Sequence, residues 1–384
     1  SRTLIPLVLL VLVILEPSGS EIIGVVRAGE SVPRVPAYLS GIQCLSPVDG
    51  PSPYLREVTA REPVRYFTHD TEVLRRRDNR LYDYLNYLKR REVQELLAGN
   101  QSMCLGIQDV QGYNPLQNQH YVDYMAAMNG QSQEYHSSNV LPTGLNSPML
   151  DLLNARYLVV IADVAPGRPD LLHLNQQYRT VYLDDYARIL ENPHAQPRAW
   201  IVHEAEQVAE GEALDLMTSG SIDLRQTAVL ETAPPELAAP RDPSADSVSV
   251  VAYAPDEMTF TVTSDAAGIL MLSEIYDTGW RAYVDGEEVN VLVADHALRA
   301  VPLPAGEHDV ELRYDPLSLR AGLVISSLTG LVMLGTWLVA LIRWLEDRRT
   351  MPRRRWKLSR ASRASTPAGA AESLPDPLHM QHVR

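Results

Sequence analysis

Residues Ala321–Ile342 carry no charge over 22 positions. At about 1.5 Å rise per residue, a helix of that length spans roughly 33 Å, enough to cross the apolar core of a bilayer. A buried core helix is the competing reading, and the flanks weigh against it. Trp337 and Trp344 suit a membrane interface, and RRTMPRRRWK follows at once. Lys and Arg beside a span mark its cytoplasmic side, which places the tail inside and the preceding chain outside. From Arg343 to the end, ten Lys/Arg stand against four Asp/Glu, so the formal charge of −14 leaves −20 on the 342 residues before them. An acidic body argues against nucleic acid or anionic lipid as its partner.

A second run repeats the pattern at the start. Arg2 precedes the mostly apolar Thr3–Leu15, followed by Glu16-Pro17-Ser18-Gly19-Ser20. The run reads either as the h-region of a secretory signal or as the end of a transmembrane helix whose beginning is missing. Both readings put residues 16–320 outside the cytoplasm. Cys44 and Cys104 could close one disulfide in that oxidising compartment or stand as two separate thiols. Neither has metal-ligand spacing around it.

Directly before the charge-free run, residues 273–320 read SEIYDTGWRAYVDGEEVNVLVADHALRAVPLPAGEHDVELRYDPLSLR. Asp285-Gly286 predicts a two-residue hairpin loop, which needs positive φ at both positions. Trp280, Ala282 and Val284 share one face, as do Val289, Val291 and Val293, and again Val310, Leu312 and Tyr314. Asp309, Glu311 and Arg313 take the other side. A period of two describes sheets with one dry and one wet face. Upstream, QTAVLE, DSVSVVAYA, EMTFTVTSD and GILMLSEIY add four strand-like runs. Seven to nine short strands in under 100 residues predict an antiparallel β-sandwich.

The earlier chain alternates helix and strand. Strands are expected at Val64–Thr68, Arg156–Ala162, Thr180–Leu183, Ala187–Glu191 and Arg198–His203. Helices are expected at Leu81–Leu97, Asn118–Met128, after Ser147-Pro148, and over the acidic Ala205–Ser219. That alternation predicts an α/β layer. The expected division is residues 1–15, transmembrane helix end or signal h-region; 16–62, an irregular linker; 63–220, an α/β extracytoplasmic domain; 221–317, the sandwich; 318–344, a transmembrane helix; and 345–384, a basic, disordered cytoplasmic tail.

Motifs for chemistry are few. The chain has no G-x-S-x-G, H-E-x-x-H, P-loop or Rossmann fingerprint. Asp184-Asp185 and Asp277/Asp285 are carboxylate pairs in turns, where Asp serves the backbone more often than catalysis. No catalytic residue, metal ligand or cofactor is assigned. Tyr113, Asn114 and Trp280 are candidate ligand contacts, since an aromatic beside polar turn residues can stack on a sugar ring; for Trp280, plugging the sandwich core is the competing role.

The stretch from Ser273 into the apolar run resembles the C-terminal region of YfhO-like bacterial membrane proteins, through its Gly-Trp, its VDG hairpin and the RAVPLPAGEHDVELRYDP run. IQDVQGYNPLQNQHYVDYM, LLNARYLVV and ILENPHAQPRAWIV fit the same family in order, extending the resemblance to about residues 100–340. Asp277-Thr278 departs from the aromatic and proline common there, a difference confined to the local turn. The resemblance implies the C-terminal portion of a polytopic protein related to GT-C glycosyltransferases in a bacterial cell membrane. Such enzymes take sugar from a lipid-phosphate carrier to an envelope glycopolymer. It implies a catalytic carboxylate in the first outward loop, so no catalytic position is carried over to this chain, which would supply an outward acceptor-recognition or cover domain. The alternative is a non-catalytic single-span surface protein whose ectodomain binds glycan or protein.

Overall fold

A computed structural model describes residues 50–69, 95–97, 100–114, 116–133, 137–162, 173–174 and 176–350, apart from the side chains of Gln101, Cys104 and Thr350. The run Thr3–Leu15, Cys44, most of the helix expected over Leu81–Leu97, and the tail beyond residue 350 lie outside the described residues. The chain divides into two compact units, Ser1–Leu317 and Ser318–Arg384. The first is rich in β-sheet.

Among the described residues its helices are α1 (Pro51–Arg61), α2 (Gln101–Leu105), α3 (Gln119–Asn129), α4 (Pro148–Leu152) and α5 (Ala213–Ser219). The first sheet runs β2 (Gln108–Asp109), β1 (Arg65–Thr68), β5 (Ala155–Ile161), β7 (Ala187–Glu191), β6 (Arg179–Leu183). β2, β1 and β5 pair parallel, β7 pairs antiparallel with β5, and β6 pairs antiparallel with β7. The apolar run ARYLVVI of β5 reflects burial on both faces. Tyr157 and Val159 face a cluster with Leu55 of α1, whereas Leu158 and Val160 join Tyr124 and Met125 of α3 and Met149 and Leu150 of α4. Ser147 caps α4, its Oγ accepting from the Met149 amide at 3.3 Å, with Pro148 at the first helical position. A two-stranded ribbon, β3 (Gly112–Tyr113) with β4 (Ser137–Ser138), completes this part.

The second sheet runs β8 (Ala199–Val202), β13 (Gly268–Ile275), β17 (Leu298–Leu303), β16 (Leu292–Ala294), β10 (Thr227–Leu230), β9 (Glu204–Gln207). The third runs β11 (Ser247–Tyr253), β12 (Glu257–Ser264), β18 (Gly306–Tyr314), β14 (Trp280–Val284), β15 (Glu287–Val289). These two sheets share a core: Ala199, Leu270, Leu272, Val301 and Leu303 from the second meet Met258, Phe260, Val262, Ala282, Val310 and Leu312 from the third. Fully burying side chains of this size contributes about 1.5–3 kcal/mol each. The other face of the second sheet, through Trp200, Ile269, Met271 and Leu298, belongs to the cluster that also holds α3 and α4. Strand β13 is therefore dry on both sides, which explains why GILMLSEI lacks the alternation seen in EMTFTVTS.

Asp285 and Gly286 adopt φ of 53° and 84°, and the hairpin closes with Val284 opposite Glu287. Two local expectations are corrected. The acidic stretch from Ala205 is not helical throughout: Glu204–Gln207 forms β9, which pairs parallel with β10, and only Ala213–Ser219 is helical. Its charges suit an exposed edge strand, where they oppose further strand pairing. The described end of the proline-rich segment is also not irregular. Pro51 starts α1 at a position where its missing N–H costs nothing, and Leu55 anchors the helix in the core.

The second unit contains the rest of α6 (Leu317–Thr350), a helix of 34 residues. Over Leu317–Arg349 it is long and apolar enough to cross a membrane, with a best-window mean hydropathy of 2.0. The hydroxyls of Thr329 and Thr336 donate to Ile325 O and Met333 O within the helix, both at 2.8 Å. That leaves their polar atoms satisfied without water.

Candidate functional site

Among the described residues a charged cluster forms where the three large sheets meet. Arg65 opens β1, Arg198 immediately precedes β8, Arg299 is the second residue of β17, and Glu274 lies near the end of β13. Glu274 reaches the cluster because of a register shift. Leu272 pairs with Arg299 but Ile275 pairs with Leu298, so Ser273 and Glu274 form a bulge in β13. A bulge re-aims side chains that a regular ladder would hold to alternating faces. Its backbone is held in place by Ser273 N donating to Arg198 O at 2.9 Å.

Three guanidiniums converge on this one carboxylate. Arg65 Nη2 donates to Glu274 Oε2 at 2.9 Å and Arg299 Nη2 donates to the same oxygen at 3.3 Å. Arg198 Nη1 and the Tyr253 hydroxyl donate to Oε1 at 3.1 and 2.7 Å. Arg198 also donates to Gln108 Oε1 at 2.7 Å and to Pro63 O at 3.2 Å. Arg65 donates to Ser273 O and to Leu153 O. Arg299 Nε donates to Ile275 O at 3.1 Å, and its guanidinium lies 3.9 Å from the centroid of the Trp280 ring. Burial raises the cost of ionising Glu274, but Arg65, Arg198 and Arg299 outweigh it and hold the carboxyl below its ordinary range. Burial pulls Arg198 and Arg299 down to about 10, leaving both charged at neutral pH.

The cluster lines a cavity of about 1080 Å³. Along one side run Val248–Tyr253 of β11, which among the described residues is an edge strand bonded only to β12. Such an edge presents unpaired backbone N–H and C=O groups. Charged residues on the lining are Arg61, Arg65, Arg198 and Arg299 against Glu62 and Glu274, a formal excess of two positive charges. Asp277 acts on Arg299 from further away. Burying charge is costly unless it is paired, and here Glu274, the Gln108 side chain and the carbonyls of Pro63, Leu153, Ser273 and Ile275 take most of the guanidinium donors.

Among the residues singled out from sequence, Trp280 meets this cluster through Arg299. It is half-buried, with the Tyr314 ring 5.3 Å away. The Gly-Trp pair has a packing reason: a Cβ on Gly279 would sit 2.6 Å from Tyr314 Cε2. Tyr113 is exposed on β3, its backbone bracketed by the Asn100 amide at 2.9 and 2.7 Å. Asn114 Oδ1 accepts from Leu116 N at 2.9 Å in a local turn. Neither lines the cavity. Cys44 lies outside the described residues, as does the side chain of Cys104. Among the described residues, no group of three or more His, Cys, Asp or Glu is placed to hold a metal ion.

Sequence reading passed over Arg65, Arg198, Glu274 and Arg299. Arg65 and Glu274 are 209 positions apart. The available signal was a charge inside an apolar strand: Glu274 in GILMLSEI and Arg299 in LRAVPL.

Residues 210–326 match the family model described as bacterial membrane protein YfhO. No curated protein and no solved structure matches the chain. The matched region includes Tyr253, Glu274, Trp280 and Arg299, together with the first ten residues of α6; Arg65 and Arg198 precede it. A YfhO-like region joined to a long apolar helix makes this a membrane protein.

Proposed function

We propose, with the YfhO-like character of residues 210–326 as premise, that this chain serves a membrane-bound glycosyltransferase that moves sugar from a lipid-phosphate carrier to an envelope glycopolymer. In this reading the first unit faces outward and provides acceptor recognition or cover, and the basic residues after α6 face the cytoplasm. The six- and five-stranded sheets act as a β-sandwich carrying one wall of the arginine-lined cavity. Transfer chemistry is assigned to no residue of this chain, and no metal or cofactor is invoked for it. The partners are the bilayer, a lipid-linked sugar and the glycopolymer; nucleic acid is not among them.

One observation carries the proposal: the family match runs without a break from the paired sheets into the apolar helix. The residues that build one wall of the cavity are thereby part of the same family segment as the anchor. The test is sugar transfer in membrane vesicles from the source cells, using a labelled sugar on a polyprenyl phosphate. Removing this protein should abolish incorporation into polymer, and restoring it should recover incorporation. Unchanged incorporation without the protein would sink the transferase reading.

A second reading, a surface protein that binds without transfer, is favoured by the cavity itself, about 1080 Å³ with a formal excess of two positive charges on its lining. Transfer that persists without the protein, accompanied by loss of glycan retention at the cell surface, would support it.

A further inference from the structure

The contact between α3 and the turn joining β16 to β17 is built from polar groups that leave atoms unsatisfied. His120, in the first turn of α3, faces His296 in that turn, with ring centroids 5.2 Å apart. Asn118, at the N-cap of α3, donates from Nδ2 to Tyr276 O at 2.9 Å, and the Tyr276 ring meets His120 edge-on. Yet Asn118 Oδ1, His120 Nδ1, Asp295 Oδ2 and His296 Nε2 are buried without a hydrogen-bond partner among the described residues. A contact made only for packing buries apolar groups or bonded polar ones, because a polar atom without a partner costs free energy that water repays on opening. The turn adds to that cost. Asp295 and His296 both hold positive φ, 49° and 64°, a region unfavourable for residues with a side chain. The closed contact is therefore held only weakly against local opening.

The charges around His296 decide what a proton does there. From α3 come His120 and Asp123, whose Oδ2 is 3.8 Å from His296 Nε2. From the end of β10 comes Glu231, whose Oε1 is 3.9 Å from His296 Nδ1. Asp295 precedes His296 in the turn and faces Tyr124 of α3. Both carboxylate distances exceed hydrogen-bond reach, and both carboxylates are engaged elsewhere. Gln119 Nε2 donates to Asp123 Oδ1 at 2.8 Å, and Gly211 N donates to Glu231 Oε1 at 3.1 Å. Their side chains are also 42% and 29% exposed, so water screens them. Burial, and after it His120, outweighs both acids and holds the His296 imidazole below its ordinary range. Its contribution to the closed contact is thus present above about pH 6.5 and lost as pH falls through the folded value.

We propose that the His120–His296 pair is a pH-operated latch between α3 and the second sheet. Neutral imidazoles seat the first turn of α3 against the β16–β17 turn, and protons in a mildly acidic medium release it. Tyr124, Met125 and Met128 keep the rest of α3 in the core, so the release is local. The latch concerns how two parts of the first unit hold together, and it stands whether the chain serves transfer or binding alone.

The experiment is hydrogen exchange on the full chain in detergent at about pH 7.5 and about pH 5.5, either side of the ordinary histidine pKa. Protection is corrected for the pH dependence of intrinsic exchange. The reporters are the amides of Tyr121 and Val122, which donate to Asn118 O, and of Tyr276, which donates to Ala297 O. Their protection should fall by about three- to tenfold at the lower pH, while Phe260 and Val310, paired across β12 and β18, keep theirs. Unchanged reporters, reporters that gain protection in acid because Asp123 and Glu231 capture the charged rings, or a fall shared by Phe260 and Val310 overturns the proposal. His296→Asn tolerates the left-handed turn but does not titrate, and it should erase the difference between the two pH values. A difference kept in full overturns the proposal. Should that variant fail to fold, His120→Gln leaves the turn intact and should shrink the difference at least about twofold; no shrinkage overturns the proposal, and the wild-type comparison needs no variant. Asp295 is retained throughout, so its own titration, of opposite sign, is common to every arm. Because no transfer is measured, this result and the vesicle assay can fail separately.

Discussion

Two buried carboxylates on the second sheet behave in opposite ways. Glu274 is 6% exposed and Asp295 fully buried. Glu274 is surrounded by three guanidiniums and a tyrosine hydroxyl, and its pKa is lowered. Asp295, just after β16, accepts one hydrogen bond, from Val229 N at 2.9 Å, and its Oδ2 has no hydrogen-bond partner. Burial pushes its carboxyl up to about 7. Burial alone does not decide the state of a buried acid. The charges within hydrogen-bond reach decide it, and here they separate a charged cavity wall from a strand-end tie in the core.

The largest effect should come from removing the carboxylate at the centre of the arginines. Glu274→Ala leaves buried guanidiniums unpaired and should cost about 3–5 kcal/mol by chemical denaturation. Phe260→Ala, in the apolar core between the second and third sheets, should cost a similar ~3–5 kcal/mol. Loss of the acid-side decline in stability should occur in Glu274→Ala alone, and equal acid sensitivity of the two variants would break the distinction between the charged and the apolar region.

The pH dependence should run in opposite directions at the two acids. Asp295 has a folded pKa above its unfolded value, so its contribution is complete below about 3.8 and is lost as pH rises toward about 7. Asp295→Asn should therefore remove a decline worth up to about 4 kcal/mol between those values, read as a flatter plot of unfolding free energy against pH. Glu274 has a lowered folded pKa, so its contribution is present above about 4.5 and lost as pH falls through the folded value. Asp295→Asn should leave that acid-side loss intact.

Trp280→Ala tests the rim of the charged region. The ring is half-buried and stacks on Arg299, so a cost of about 2 kcal/mol is expected from the lost cation–π contact, below that of Phe260→Ala. The smallest effect is a control remote from both acids. Gly286→Ala meets no atom within 4 Å, but its φ of 84° is unfavourable for alanine, so about 1 kcal/mol should be lost with an unchanged pH response.

Much of the local structure was legible because it depends on neighbours in sequence. Asp285-Gly286 predicts its turn through backbone sterics, EMTFTVTS predicts a half-buried strand through its period, and Ser147-Pro148 predicts a helix start through capping. The stretch from Ala205 misled because Ala, Leu and Glu favour helix in isolation, whereas parallel pairing with β10 holds Glu204–Gln207 extended. The candidate site was not legible because no motif joins its parts. Arg65, Arg198, Glu274 and Arg299 read singly as ordinary strand-end charges.

The sequence by itself determined a charge-free helix long enough for a bilayer, a run of short strands leading into it, and the positions of the tight turns. Each follows from local composition, period or sterics. Tertiary structure alone decided that β8 pairs with β13, that a bulge turns Glu274 toward three arginines, and that an edge strand borders the resulting cavity. Those outcomes depend on the register between strands far apart in the chain, where one shifted pairing changes which side chains meet.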